Sequence, residues 1–166
     1  VRFDNSIEGD AMSRYSAEQM ERKAKSKWTI VQYIGAPIQV LILFISLGFV
    51  IYTLTTDKLF DVTNFTIIFK TAFLYFMFIT GMFWEKEVIG AYYLSREFFW
   101  EDVVSTLVLI LHTLYVTALV TGVDHKALLI LILVAYFTVL VNAIQYIIKA
   151  LKNRANKQSI PALAQD

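Results

Sequence analysis

The chain has no cysteine. Disulfides, thiolate metal sites, iron–sulfur clusters and thiol nucleophiles are therefore excluded. An excess of one charge is absent as well: 15 Lys and Arg stand against 14 Asp and Glu, a net charge of +1. No basic stripe interleaved with aromatics follows a loop, so nothing points to nucleic acid. There is no Gly-rich phosphate loop, no His-rich metal motif and no dinucleotide fingerprint. No internal repeat is visible. A cleavable signal pattern is missing too, because the first apolar run begins only at Trp28; that run is expected to serve as an uncleaved insertion signal.

Long apolar runs are what the chain does have. Hydrophobic residues make up 57% and mean hydropathy is +0.57, too high for an ordinary soluble domain. Residues 28–56 carry no charge between Lys27 and Asp57, and further apolar stretches cover 62–84, 103–123 and 127–148. Each is long enough to cross a hydrocarbon core of ~30 Å at ~1.5 Å per residue. Spanning backbone must satisfy its own hydrogen bonds, so the stretches read as helices despite their many β-branched residues. The expected fold is all-α: an integral membrane four-helix bundle over 28–152. A polar segment, 1–27, precedes it, with Ser16 and Gln19 able to cap a short surface helix. A flexible tail, 153–166, follows. Pro37 either kinks the first span or sits in the first turn of a helix starting near Ala36. Lys70, near the outer end of the second span, is expected to snorkel.

Lys and Arg are unevenly placed. Arg2, Arg14, Arg22, Lys23, Lys25 and Lys27 precede the first span; Lys86 and Arg96 lie between spans two and three; Lys149, Lys152, Arg154 and Lys157 follow the fourth. The opposite side has Lys58 and Lys126. This asymmetry predicts both termini in the cytoplasm of a multi-pass protein of the cytoplasmic membrane, with the second connection facing the cytoplasm.

The acids concentrate at that connection, in WEKE (Trp84 to Glu87) and FFWED (Phe98 to Asp102), with His112 deeper in the third span. Ionisable groups at or inside a bilayer are costly and usually functional. On the third helix Glu101, Ser105, Val108 and His112 fall within roughly 60° of one another, and Asp102 points roughly 100° away. Gln39 on the first helix and Asn142 and Gln145 on the fourth extend polar stripes that can line the same pocket. Each residue has a plainer explanation: Trp84 and Trp100 fit an interfacial aromatic belt, Asn and Gln often join helices, and Asp102 suits an ion pair with Lys86 or Arg96. The residues alone reach a membrane-embedded acid–base site or a pocket for a flat apolar ligand.

The segment WEKEVIGAYYLSREFFWEDVVSTLVLILHTLY (Trp84 to Tyr115), with VNAIQYIIKALK after it and WTIVQYIGAPIQVLIL before it, closely resembles the 3-vinyl (bacterio)chlorophyllide hydratase family over roughly residues 20–152. The resemblance implies a hydro-lyase of bacteriochlorophyll synthesis that hydrates the 3-vinyl group of a magnesium chlorin to 1-hydroxyethyl. It implies no cofactor, since the substrate carries its own magnesium. Protonating the terminal vinyl carbon leaves a cation delocalised over the macrocycle, which water then attacks; the reaction needs an acid, a base and negative potential. Glu101 is the favoured acid, Glu85 positions or deprotonates water, and Asp102 orients a partner or supplies charge. His112 relays protons or ligates the substrate magnesium. Trp84, Phe98, Phe99, Trp100, Tyr92 and Tyr93 can stack on the ring, with Ser105, Gln39, Asn142 and Gln145 lining the pocket. Arg96, Lys86 or a basic N-terminal residue can hold a propionate. Partners are thus the chlorin, water and lipid, with pairing into a homodimer an option. Two other classes compete: a non-enzymatic pigment-binding or assembly subunit using His112, and a small proton-coupled carrier using Lys70 with Glu85 and Glu101.

Overall fold

The computed structural model describes residues 15–96 and 98–163; the side chains of 145–147 and 149–163 fall outside that description. All regular structure among the described residues is helical: α1 (Ala17–Lys25), α2 (Lys27–Thr56), α3 (Phe60–Val88), α4 (Phe99–Val120) and α5 (His125–Leu163). Four of these are long and apolar enough to cross a membrane, with mean hydropathy of 1.6 to 2.4 in the windows of α2 to α4 and 2.7 over His125–Ile144. Large apolar side chains stay exposed along them, such as Tyr33 at 68%, Leu41 at 60% and Phe65 at 70%. Such a surface suits lipid and would be a liability in water.

The helices fall into two compact units, Val1–Val103 and Val104–Asp166. The first contains α1, α2, α3 and the opening turn of α4. Its core is the α2–α3 hairpin, closed by a short connection in which Asp57 and Leu59 adopt left-handed conformations, φ 54° and 62°. Where a bilayer surrounds the helices there is no hydrophobic drive to bring them together, so close approach and hydrogen bonds do it. Partners run in opposite order along the pair. Gln32 donates to Thr80 Oγ1 at 2.9 Å, Ser46 and Thr66 share a hydroxyl bond of 2.9 Å, and Thr53 and Thr63 one of 2.7 Å. Leu43, Val50, Ile67 and Leu74 fill the space between these levels.

Gly35 lets α3 come closest: a Cβ there would overlap Met77 Sδ and lie 2.7 Å from its Cε. Pro37 is inside α2, ten residues from its start at Lys27. The helix therefore does not begin near Ala36, and Pro37 is an interior proline. Lys70 is 0% exposed, so it does not snorkel to the surface. At the other end α1 is a short polar helix started by a capping box between Ser16 and Gln19 and carrying Glu18–Arg22 and Glu21–Lys25 pairs.

The second unit holds the rest of α4 and α5. Gly122, at φ 76°, ends α4 with its amide on Leu119 O at 3.3 Å, and Val123 N reaches Ala118 O at 3.1 Å. This is the usual glycine stop for a helix. Asp124 starts α5 by accepting from the amides of Lys126 and Ala127 at 3.0 and 3.3 Å. Val108, Tyr115, Leu128, Ile132 and Tyr136 are buried.

Gly35→Leu is expected to destabilise the α2–α3 hairpin by roughly 1–3 kcal/mol, the usual cost of overpacking. Thermal unfolding in detergent measures it. Because the obstructing atoms are the flexible end of Met77, adding Met77→Ala should recover much of the loss; a wild-type midpoint in Gly35→Leu alone would refute the close approach.

Candidate active site

The apolar part of the second span stops at Trp84, but α3 continues to Val88, which places Glu85 and Glu87 on helix rather than in a loop. The helix end is marked by the amides of Ile89 and Gly90 turning onto Glu85 O at 2.7 and 3.1 Å. Gly90, at φ 99°, reverses the chain. Phe99 to Asp102 of FFWED then form the first turn of α4. Asp102 sits where the partial positive charge of a helix N-terminus favours an anion.

Asp102 does more than terminate a helix. Its Oδ2 accepts the Leu94 amide at 2.7 Å, and its carbonyl accepts the Tyr93 hydroxyl at 2.9 Å. Leu94 is left-handed, φ 52°, a conformation that a leucine adopts only when something holds it. The Tyr93 ring is edge-on to Phe78 with centroids 5.4 Å apart. Burial, then the charges of Asp102 and Glu85, push the Tyr93 phenol above its ordinary range. The loop is thus folded back onto the start of α4.

This folding brings Ser95 and Asp102 to Glu85. Glu85 is 6% exposed and lies within interaction range of both. Its Oε2 and the Ser95 hydroxyl are buried and make no hydrogen bond to protein atoms. Buried polar atoms normally find partners, so this corner is suited to a polar ligand such as water. Glu101 is 2% exposed and engaged. Asp102 is an acid that interacts with Glu85 here, although the helical wheel turns it aside. The wheel places Asp102 correctly on its own helix, but the loop returns to meet it.

Aromatic rings adjoin the acids. Trp84 packs edge-on against Phe98 at 5.5 Å and Tyr15 at 6.4 Å, and Tyr15 lies 6.1 Å from Phe98. The Trp84 indole donates to Thr29 Oγ1 at 2.9 Å, Thr29 in turn donates to Lys23 O at 2.8 Å, and Ser26 donates to Glu87 at 3.0 Å. These bonds fasten α1 to the end of α3. Phe99 and Trp100 are 44% and 68% exposed and pair with each other. Lys86 is exposed, donates to Gly90 O at 3.2 Å and covers the Tyr92 ring at 4.7 Å; Arg96 is exposed and Gln39 half-buried on α2.

In the second unit His112 is 0% exposed. Its Nδ1 donates to Val108 O at 2.8 Å, which in a neutral ring makes Nε2 the basic nitrogen. Its ring lies 5.8 Å from that of Tyr136. Ser105 is half-buried, and Asn142 Oδ1 is buried without a hydrogen-bond partner. The Gln145 side chain lies outside the described residues. Among the described residues no group of three or more His, Asp or Glu could hold a metal ion. Tyr15 and Ser95 carry no signal in the sequence as site residues: loop and surface positions have no periodicity, and a left-handed leucine leaves no compositional mark.

The family model for 2-vinyl bacteriochlorophyllide hydratase matches residues 15–152. A 2-vinyl bacteriochlorophyllide hydratase of Cereibacter sphaeroides is 43% identical over 135 residues, 81% of this chain and 84% of the relative. One of Rhodobacter capsulatus is 39% identical over 145 residues, 87% of this chain and 85% of the relative. No solved structure matches the chain. With the model covering Tyr15 through Lys152, the acidic corner included, and two relatives aligned along most of their own length, the chain belongs to the 2-vinyl bacteriochlorophyllide hydratase family, the hydro-lyases of bacteriochlorophyll biosynthesis.

Proposed function

We propose that this chain adds water across the vinyl group of a chlorophyllide-type macrocycle by acid–base catalysis at the membrane face where α3 ends and α4 begins. The vinyl position, 2 in the relatives' names, is read as the 3-position of the other ring-numbering convention. The observation that carries the reading is the acidic corner: Glu85 and Glu101 nearly out of contact with solvent, and Glu85 beside Asp102.

Glu101 gives a proton to the terminal vinyl carbon. The cation forms at the ring-attached carbon and spreads into the macrocycle. Asp102 and Glu85 supply the negative potential that favours it. Glu85 holds the attacking water and takes its proton as the carbon–oxygen bond forms. One proton leaves Glu101 and one arrives at Glu85, so a single transfer between them resets the site. A C=C bond becomes one C–H and one C–O bond with no net electron transfer, so the reaction as written calls for no redox cofactor. Magnesium travels with the substrate.

The uneven placement of Lys and Arg supports a cytoplasmic-membrane protein with both termini and this corner on the cytoplasmic side. Water is at hand there, while the apolar macrocycle can arrive through the bilayer.

Glu101→Gln is expected to lower turnover by at least ~100-fold, the usual scale for loss of a general acid, while pigment binding persists. Incorporation of heavy oxygen from labelled water into the 1-hydroxyethyl product measures the rate; an unchanged rate removes Glu101 from the reaction. Asp102→Asn is expected to lower the pH at which Tyr93 ionises. A nearby negative charge opposes tyrosinate, so its loss lets the phenolate form earlier, though burial still holds the group high. Carbon-13 chemical shifts of labelled tyrosine across an alkaline titration read this directly, and an unmoved Tyr93 curve would refute the contact.

A further inference from the structure

The cations near the acidic corner are not equivalent. Arg22 is paired with Glu18 and Lys25 with Glu21. Lys86 is exposed and already occupied by Gly90 O and the Tyr92 ring, and Arg96 is exposed. Lys23 differs from all of these. It is half-buried, with its ammonium 4.5 Å from the Tyr15 ring centroid and 6.0 Å from that of Trp84. Among the described residues it contacts no carboxylate.

Its position is also fixed. Thr29 bonds to the Lys23 carbonyl and receives the Trp84 indole, so the backbone of Lys23 is tied to the side chain immediately before Glu85. The rings of Tyr15, Trp84 and Phe98 meet one another at 5.5 to 6.4 Å. A cation set over aromatic faces keeps part of its hydration away and still needs an anion. An aromatic surface with one partly desolvated ammonium at its edge suits a flat, apolar ring bearing a single carboxylate.

We propose that Lys23 binds the propionate carboxylate of the macrocycle beside the Tyr15 and Trp84 rings, which Phe98 backs from inside, and so selects free-acid pigments over their esters. This rests on the hydration reading, because it is that reading which supplies a chlorin with a propionate. The ring then lies along the aromatic surface with its charged edge toward α1, and the vinyl group is left for the acids that follow Trp84. Lys23 is a specificity residue in this account and takes no part in proton transfer.

The test compares wild type, Lys23→Met and Lys23→Arg with a 3-vinyl chlorophyllide and its propionate methyl ester. A charge-assisted hydrogen bond is worth about 1.5–3 kcal/mol, so Lys23→Met should raise KM for the free acid roughly tenfold or more. The variant's kcat should change little, and its KM for the ester should match that of wild type. Lys23→Arg should restore most of the affinity. Equal weakening toward acid and ester, or no weakening, overturns the proposal, since either means packing or no contact. Equilibrium binding of the two pigments, read by quenching of tryptophan fluorescence, needs no turnover. Acid-selective binding that depends on Lys23 in a protein that hydrates neither pigment would therefore support this site while refuting the hydration reading. If Lys23→Met loses affinity for anionic phospholipid vesicles but discriminates acid from ester as wild type does, the cation serves a lipid headgroup and the proposal fails.

Discussion

The acidic corner depends on one hydrogen bond, from the Leu94 amide to Asp102 Oδ2 at 2.7 Å. Between Val88 and Phe99 the chain leaves one helix and starts the next, and nothing in a run such as AYYLS makes it turn back. The left-handed Leu94 costs conformational energy, which a bond to an anion can offset. With that bond made, Ser95 and Asp102 both lie at Glu85, and the Tyr93 hydroxyl adds a second tie to the same residue. Without it, the loop has many competing conformations and Glu85 loses the neighbours that define its surroundings.

The same logic of satisfied polar groups runs down the α2–α3 hairpin. In lipid an unmatched hydroxyl is costly, and these helices match theirs with each other. The Gln32–Thr80, Ser46–Thr66 and Thr53–Thr63 bonds act as levels that set how far one helix can slide along the other. Gly35 and Met77 fix how close they come. A register fixed in this way carries through to the end of α3, where the Trp84 indole bonds Thr29 on α2. The rigid hairpin thus delivers Glu85 to a defined place, and the loop is built around it.

Spans were readable because hydrocarbon imposes a length and excludes charge: the uncharged run 28–56 and the helix Lys27–Thr56 express one constraint. The buried face of α4 was readable for a related reason. Glu101, Val108 and His112 repeat at helical spacing and are all buried, since a helix converts sequence spacing into direction. The loop offered no such rule. That Asp102 meets Glu85, or that Lys23 lies over Tyr15, follows from chain reversals whose geometry depends on contacts distant in sequence. The fate of Lys70 was hidden for the opposite reason: a long side chain near a span end can reach either water or the interior, and only packing decides. Here it went inside.

A stability argument alone does not account for Glu85. Structural carboxylates in apolar surroundings are held by a cation or by several donors, because burial penalises the charge. Glu85 has Ser95 in range as a donor, but it also has a second acid, Asp102, as a neighbour and leaves Oε2 unbonded to protein. Two acids brought together destabilise a fold unless a proton is shared between them. Exposing Glu85 would have relieved the strain cheaply, as it is relieved at Glu87 one residue pair along, which is exposed and bonded to Ser26. The chain spends a left-handed leucine and an aspartate to do the reverse, drawing a loop over the carboxyl. Such an arrangement suits a carboxyl that exchanges protons with something other than bulk water, as the proposed addition of water to an alkene would need.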